Sequence, residues 1–423
     1  MFAPMPTTIV TTARGWTAVL AMCATPAIAA AQQRDSVPPP VHADSQPAAP
    51  KPRPWYERFT LRGYTQVRYD DAFLKDDGYA CQACDRGIGG VQDVSVRRAR
   101  LVFNATPIEQ VNFKFEIDLA NTLNNQQFYL QMRELFGDIY LEKSKNAWVR
   151  IGLAKVPYGY ENLQSSSQRL PFDRDDAINS GVPGERDLGA FFIWGTSKAH
   201  RTLRAMADSG YKGEGDFGIF AIGVYNGQGA NKPEANDSKH VAARLAYPFL
   251  LPGHQIVELG VQGFTGTYNL TSDLRTTGVA APEGYDFKDR RVAVSAVLVP
   301  RPIGLVAEWN WGDGPRYDPT LNATVNGTLD GGYVQAMYRI VLPKGRLLYP
   351  YARWQHYEGG KKNEVDARFY DVDEFEAGAE LLVIRAVELT AAYVHGDRTF
   401  EDGAAPDNVH SADFLRLQVQ LNY

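Results

Sequence analysis

The chain has 423 residues, 44% of them hydrophobic and 22% charged, with a net charge of −5. After the N-terminal segment no run of about 18 apolar residues occurs, which excludes spanning by helices. The negative balance argues against a general nucleic-acid binder, for which a basic domain is expected. Abundant tyrosine and glycine (22 and 38 residues) suit a strand-rich protein, soluble or embedded, since a barrel shows lipid only every second residue.

Arg14 is the only charge in residues 1–31, and it precedes the short apolar core Trp16–Ala24. Ala27-Ile28-Ala29 and Ala29-Ala30-Ala31 both fit an A-x-A cleavage site, so residues 1–31 read as a signal peptide. Residues 32–54, from Ser36-Val37-Pro38-Pro39-Pro40 to Lys51-Pro52-Arg53-Pro54, cannot pack a core and read as a Pro-rich, disordered periplasmic linker. The remainder, 55–423, reads as one domain.

That domain opens on period 2. Phe59, Leu61, Gly63, Thr65, Val67 and Tyr69 alternate with Thr60, Arg62, Tyr64, Gln66 and Arg68. Next comes a lone Cys-x-x-Cys, Cys81 and Cys84; with no second pair at metal spacing, a loop disulfide in an oxidising compartment is expected, and no metal. Arg97, Arg98 and Arg100 crowd the following strand. Val111, Phe113, Phe115, Ile117 and Leu119 then oppose Asn112, Lys114, Glu116 and Asp118, one greasy face against one ionic face. At the end, Leu415, Leu417, Val419, Leu421 and Tyr423 alternate with Arg416, Gln418, Gln420 and Asn422, and the chain stops on the aromatic. This resembles the terminal signal read by the outer-membrane barrel assembly machinery.

Connections alternate in length. Tight ones fall near 105–108, 142–146, 300–302 and 343–345; long polar ones span 70–92, 120–134, 157–187, 226–237, 269–286, 312–330, 358–371 and 396–411. Eight long loops imply about 16 strands. Residues 195–216 break the pattern, a long polar stretch where a short turn is needed. The fold expected is all-β, a transmembrane antiparallel β-barrel with short periplasmic turns and long extracellular loops. It closes because an open edge in hydrocarbon leaves backbone groups unpaired.

Several pieces in order resemble the phosphate-selective porins O and P: Arg97-Arg98-Ala99-Arg100-Leu101, the segment Gly152–Glu161, Val224-Tyr225-Asn226-Gly227-Gln228-Gly229, and Pro350-Tyr351-Ala352-Arg353-Trp354. The resemblance implies a barrel of the outer membrane in contact with its lipid, a homotrimer, and an inward constriction loop at 157–187. That loop carries Arg169, Arg174 and Arg186 among Glu161, Asp173, Asp175, Asp176 and Glu185, a mixture of signs rather than a cationic ring.

Alternation places Arg62, Arg68, Arg98, Arg100, Lys114, Arg150 and Arg353 toward the lumen as an anion path. Arg244, Arg339 and Arg416 share that face, as do Glu116, Asp118, Asp138, Glu258, Glu308, Glu376 and Glu380. Arginine suits an anion path because its fork exchanges oxyanions between bidentate contacts; the same arginines also suit bracing the wall against the facing carboxylates. Arg97 falls on the opposite face, which puts it at the membrane edge or beside a bulge. The function expected is a porin passing small anions such as phosphate or pyrophosphate, with no cofactor. No histidine lies in a recognisable catalytic motif, so no enzymatic activity is expected. Two alternatives stay open at this point: a barrel enzyme of phospholipase type, and a secreted carbohydrate-binding β-sandwich. Trp148, Trp194, Trp309, Trp311 and Trp354 near strand ends favour an interfacial girdle over stacking platforms.

Overall fold

The computed structural model describes residues 54–75, 93–123, 126–405 and 408–423. The leader, nearly all of the Pro-rich segment and the Cys81/Cys84 pair lie outside them.

Strands run β1 (Phe59–Lys75), β2 (Asp93–Ile108), β3 (Val111–Leu123), β4 (Gln126–Tyr140), β5 (Ala147–Lys155), β6 (Arg186–Trp194), β7 (Phe220–Tyr225) and β8 (His240–Leu250). Around the other side follow β9 (Ile256–Asn269), β10 (Asp286–Leu298), β11 (Ile303–Asp318), β12 (Ala323–Tyr338), β13 (Ile340–Val341), β14 (Leu347–Gly360), β15 (Phe369–Ile384), β16 (Val387–Glu401) and β17 (Val409–Asn422). Each pairs antiparallel with its neighbours, and β1 pairs with β17 from Tyr64↔Asn422 to Lys75↔Ala412. β13 is a two-residue continuation of β12 past Arg339, so the closed barrel has 16 staves. Closure removes the sheet edge and with it the secreted-sandwich alternative.

Alternation works as the pattern demands. Leu61, Phe113, Leu135, Leu417 and Val419 are exposed on the outer wall, while Gln66, Arg68, Glu116, Asp118 and Arg416 are buried on the inner one. Trp194, Trp311 and Trp354 stand outward, and Trp309 stacks on Trp354 at 6.1 Å. Trp148 does not join this girdle; it is buried against His200, ring centroids 5.2 Å apart.

Three connections differ from expectation. Residues 120–134 and 312–330 are not loops, because the β3–β4 ladder reaches Leu123↔Gln126 and the β11–β12 ladder reaches Asp318↔Ala323. Hairpins that rise past the bilayer have water on their outer face, so the apolar alternation stops although the hydrogen-bond ladder does not. The third is 195–216, which holds helix α3 (Ser197–Asp208), capped by the Thr196 side chain accepting from Ala199 N–H at 3.2 Å. Leu203 and Met206 of α3 pack on Ile256 and Val299 at the short-turn mouth.

Candidate functional site: the lumen

Inside the barrel lies the chain between β5 and β6, with two single-turn helices, α1 (Tyr160–Leu163) and α2 (Asp176–Asn179). It is buried along nearly its whole length, and wall side chains hold it on several sides. Glu308 of β11 accepts the backbone N–H groups of Tyr160 and Glu161 at 2.6 and 3.2 Å. Glu376 of β15 accepts that of Phe172 at 3.1 Å, and Gln355 of β14 that of Asp176 at 3.0 Å. Such bonds satisfy peptide groups that a buried loop would otherwise leave orphaned.

Asp173 is the hub of the loop. Its carboxylate meets Arg416 at 2.8 Å, Arg68 at 3.4 Å and Arg97 at 3.5 Å. Burial alone would raise the Asp173 carboxyl, but Arg416, Arg68 and Arg97 hold it well below the usual range. Phe172 beside it lies under the guanidiniums of Arg68 and Arg416, at 4.8 and 4.9 Å. Arg97 reaches the lumen because a bulge between Gln66↔Arg98 and Val67↔Val96 inserts it as the extra residue of β2.

The arginines singled out from the sequence therefore divide. Arg68 and Arg353 anchor the loop, Arg353 donating to Glu161 and to the Asp173 carbonyl, both at 3.0 Å. Arg174 and Arg186 pair with Glu185, and Arg186 also meets Glu134 at 2.9 Å. Arg100 pairs with Asp118 at 2.9 Å and Glu116 at 3.3 Å. Lys114 bridges Glu116 and Glu134, and Arg150 grips Asp138 through two bonds, 2.7 and 3.0 Å. These cations are matched by carboxylates.

Arg98 and Arg169 are not. Arg98 is 4% exposed and donates to the Gln66 side chain at 2.8 Å; Arg169 is 6% exposed and donates to the carbonyls of Pro171 and Phe172. Neither has an ion pair among the described residues, and Arg98 Nε and Arg169 Nη1 lack any hydrogen-bond partner there. Arg97, Arg169 and Arg100 are the cations near enough to act on Arg98. Burial, followed by the repulsion of Arg174, holds the Arg169 guanidinium down to about 9 against the attraction of Glu161 and Asp173, and Asp173 also feels Arg98.

Below the loop, toward the short-turn mouth, a cavity of about 500 Å³ follows the inner face of β1–β5. Seven cationic side chains line it (Arg62, Arg100, Lys114, Arg150, Lys155, Arg186 and Arg204) against five carboxylates (Glu116, Glu134, Asp208, Glu214 and Asp216). Lys155 donates to the carbonyls of Leu163 and Gln164, at 2.6 and 3.0 Å, and Arg62 stands exposed at the opening. Alternation reveals Arg62, Arg100, Lys114 and Arg150. Glu134 is hidden by reading 120–134 as loop, and Lys155 is a strand-end residue whose role depends on how the loop turns inward.

A closed barrel with an apolar outer wall, a charged inner wall and a loop folded across the lumen defines an outer-membrane channel of the porin class. The chain belongs to the phosphate-selective porin O and P family, whose model matches residues 67–423, and its place is the bacterial outer membrane. No curated protein sequence matches it. Among solved structures it is similar to the outer-membrane channel DcaP of Acinetobacter baumannii, at 14% identity and a TM-score of 0.53, covering 86% of this chain and 97% of that one. OmpF of Salmonella typhi, solved with daunomycin, gives 13% identity, a TM-score of 0.52 and coverage of 86% and 97%. OmpT of Vibrio cholerae gives 13%, 0.50, and 86% and 97%. At these identities the likeness is one of fold.

Proposed function

We propose that this channel passes small anions, phosphate and other compact oxyanions among them, by diffusion along the β1–β5 side of the lumen. The carrying observation is the pair Arg98 and Arg169, buried guanidiniums that form no direct ion pair among the described residues and each keep a nitrogen without a hydrogen bond there. A buried cation is costly unless it is paired, and a passing anion is the partner such a place suits. The cationic majority along the cavity points the same way, and clefts of one dominant sign raise the local counter-ion concentration. Arg62, Arg100, Lys114 and Arg150 serve in this reading as the approach, while Arg68 and Arg353 act by holding the loop. Following the family resemblance, the assembled form is a homotrimer.

Reversal potential in a salt gradient tests the selectivity. Wild-type channels in planar bilayers should favour chloride and phosphate over potassium, and R98A/R169A channels should move toward cation preference. The shift should shrink at high salt, where the Debye length falls from about 8 Å to about 3 Å. A wild type that prefers potassium, or a double variant with unchanged selectivity, would falsify the anion reading.

A further inference from the structure

Residues 195–219 join β6 to β7, although Trp194 and Phe220 lie directly opposite in the ladder and a tight turn could link them. The extra chain first forms α3 under the mouth. It then crosses the lumen rather than returning to the wall. The Gly210 carbonyl accepts the Tyr349 hydroxyl of β14, and Lys212 pairs with Glu380 of β15. Tyr211 is covered by Arg301 and Arg339, whose guanidiniums lie 4.4 and 5.1 Å from its ring. Two residues beyond Lys212, Glu214 pairs with Arg244 of β8 on another side of the barrel.

Its inner edge touches the inward loop. The Lys212 carbonyl accepts the Tyr160 hydroxyl at 3.1 Å and the Gln164 amide at 2.6 Å. The outer edge, residues 213–217 with Ala207 and Asp208 of α3, forms the cavity wall that faces β1–β5. Lys212 and Glu214 are both buried, and burying two ion pairs costs more than a surface turn would.

We propose that Ser209–Phe217 is a second inward segment, entering from the periplasmic side, which joins the loop to close the β8–β15 half of the lumen and confines permeating solute to the β1–β5 cavity. Barrels of 16 strands leave an aqueous channel unless something fills it, and here two segments from opposite ends meet inside it through Lys212, Tyr160 and Gln164. The inference rests on the chain being a channel and is independent of which ion that channel prefers.

Two variants test it in planar bilayers. Replacing 197–217 by Asn-Gly should open the closed half, raise single-channel conductance about twofold or more, and admit larger neutral sugars into proteoliposomes. A207C places a thiol on the cavity wall without touching any of the ion pairs; a charged methanethiosulfonate reagent should cut its current and leave the identically treated parent unchanged. A heat-modifiable, correctly inserted shortened channel with parental conductance overturns the proposal. So does an A207C channel that is fully labelled by mass yet conducts as before, and this second arm decides alone if the shortened variant does not assemble. A change of ion preference without a change of conductance would bear on the anion reading and count against the confinement proposed here.

Discussion

Tyr423 donates its backbone N–H to the Gly63 carbonyl at 3.0 Å and accepts the Gly63 N–H at 2.7 Å, while its ring lies where a side chain on Gly63 would stand. First strand and last residue thus lock through a contact that only glycine permits. The Tyr423 aromatic is part of the closing seam.

Barrel closure should accordingly be sensitive from either side. Gly63→Val, which overlaps the Tyr423 ring and the Arg100 carbonyl, and Tyr423→Asp should both lower the yield of heat-modifiable barrel in the outer membrane. Normal yields from both would mean that the seam forms without this contact.

Asp173→Asn should loosen the inward loop. The substitution withdraws the counter-charge from Arg68, Arg97 and Arg416 at once, and removing one partner of a buried pair costs about 3–5 kcal/mol. Lower thermal stability in detergent and noisier single-channel current are expected. Because the folded carboxyl is held down, its contribution is present above the unfolded value of about 3.9 and is lost only as pH falls through the lower folded value. The loop should therefore stay docked at about pH 4, which single-channel noise at that pH will report.

Arg98 and Arg100 are neighbours with opposite consequences. Arg98→Ala removes a cation that has no ion pair among the described residues, so selectivity should move while the melting temperature holds. Arg100→Ala strands Asp118 and Glu116 and should cost about 3–5 kcal/mol of stability as well. Equal melting temperatures for the two variants would place Arg100 outside the ionic bracing.

His200 ties α3 to the turn segment, through Asp216 at 2.6 Å and the Asn146 carbonyl at 3.2 Å. Burial opposes its charged form, but the hydrogen bond and charge of Asp216, helped by Asn146, raise it above the ordinary histidine value. A raised value gives stability that is full below about pH 6.5 and fades as pH climbs through the folded value. Protease should cleave α3 faster at roughly pH 8.5 than at roughly pH 5.5, and His200→Gln should flatten the difference. Cleavage rates that do not respond to pH in the parent would contradict this.

Much of the wall was legible because lipid on one side and polar lumen on the other force a period of two. Arg62, Arg100, Lys114 and Arg150 were placed by that rule, and each lines the cavity. Arg97 fell off-phase by the same rule, which left a membrane-edge position or a bulge, and the register shift between Gln66 and Val67 decides for the bulge and turns Arg97 inward. Residues 120–134 and 312–330 lost their alternation where water replaces lipid, so composition alone made loops of what are strands.

By itself the sequence determined the barrel, its closure through the last strand, and, Arg97 apart, which of the named charges turn inward, since each is a local choice imposed by solvent on every second residue. What those charges do was decided only by tertiary structure. Arg68 and Arg353 became anchors, Arg98 stayed without an ion pair among the described residues, and Lys212 crossed the lumen to Glu380, separated from it by 168 positions. Pairings of that span depend on where two inward segments meet, and periodicity along one strand holds no information about a partner supplied from across the barrel.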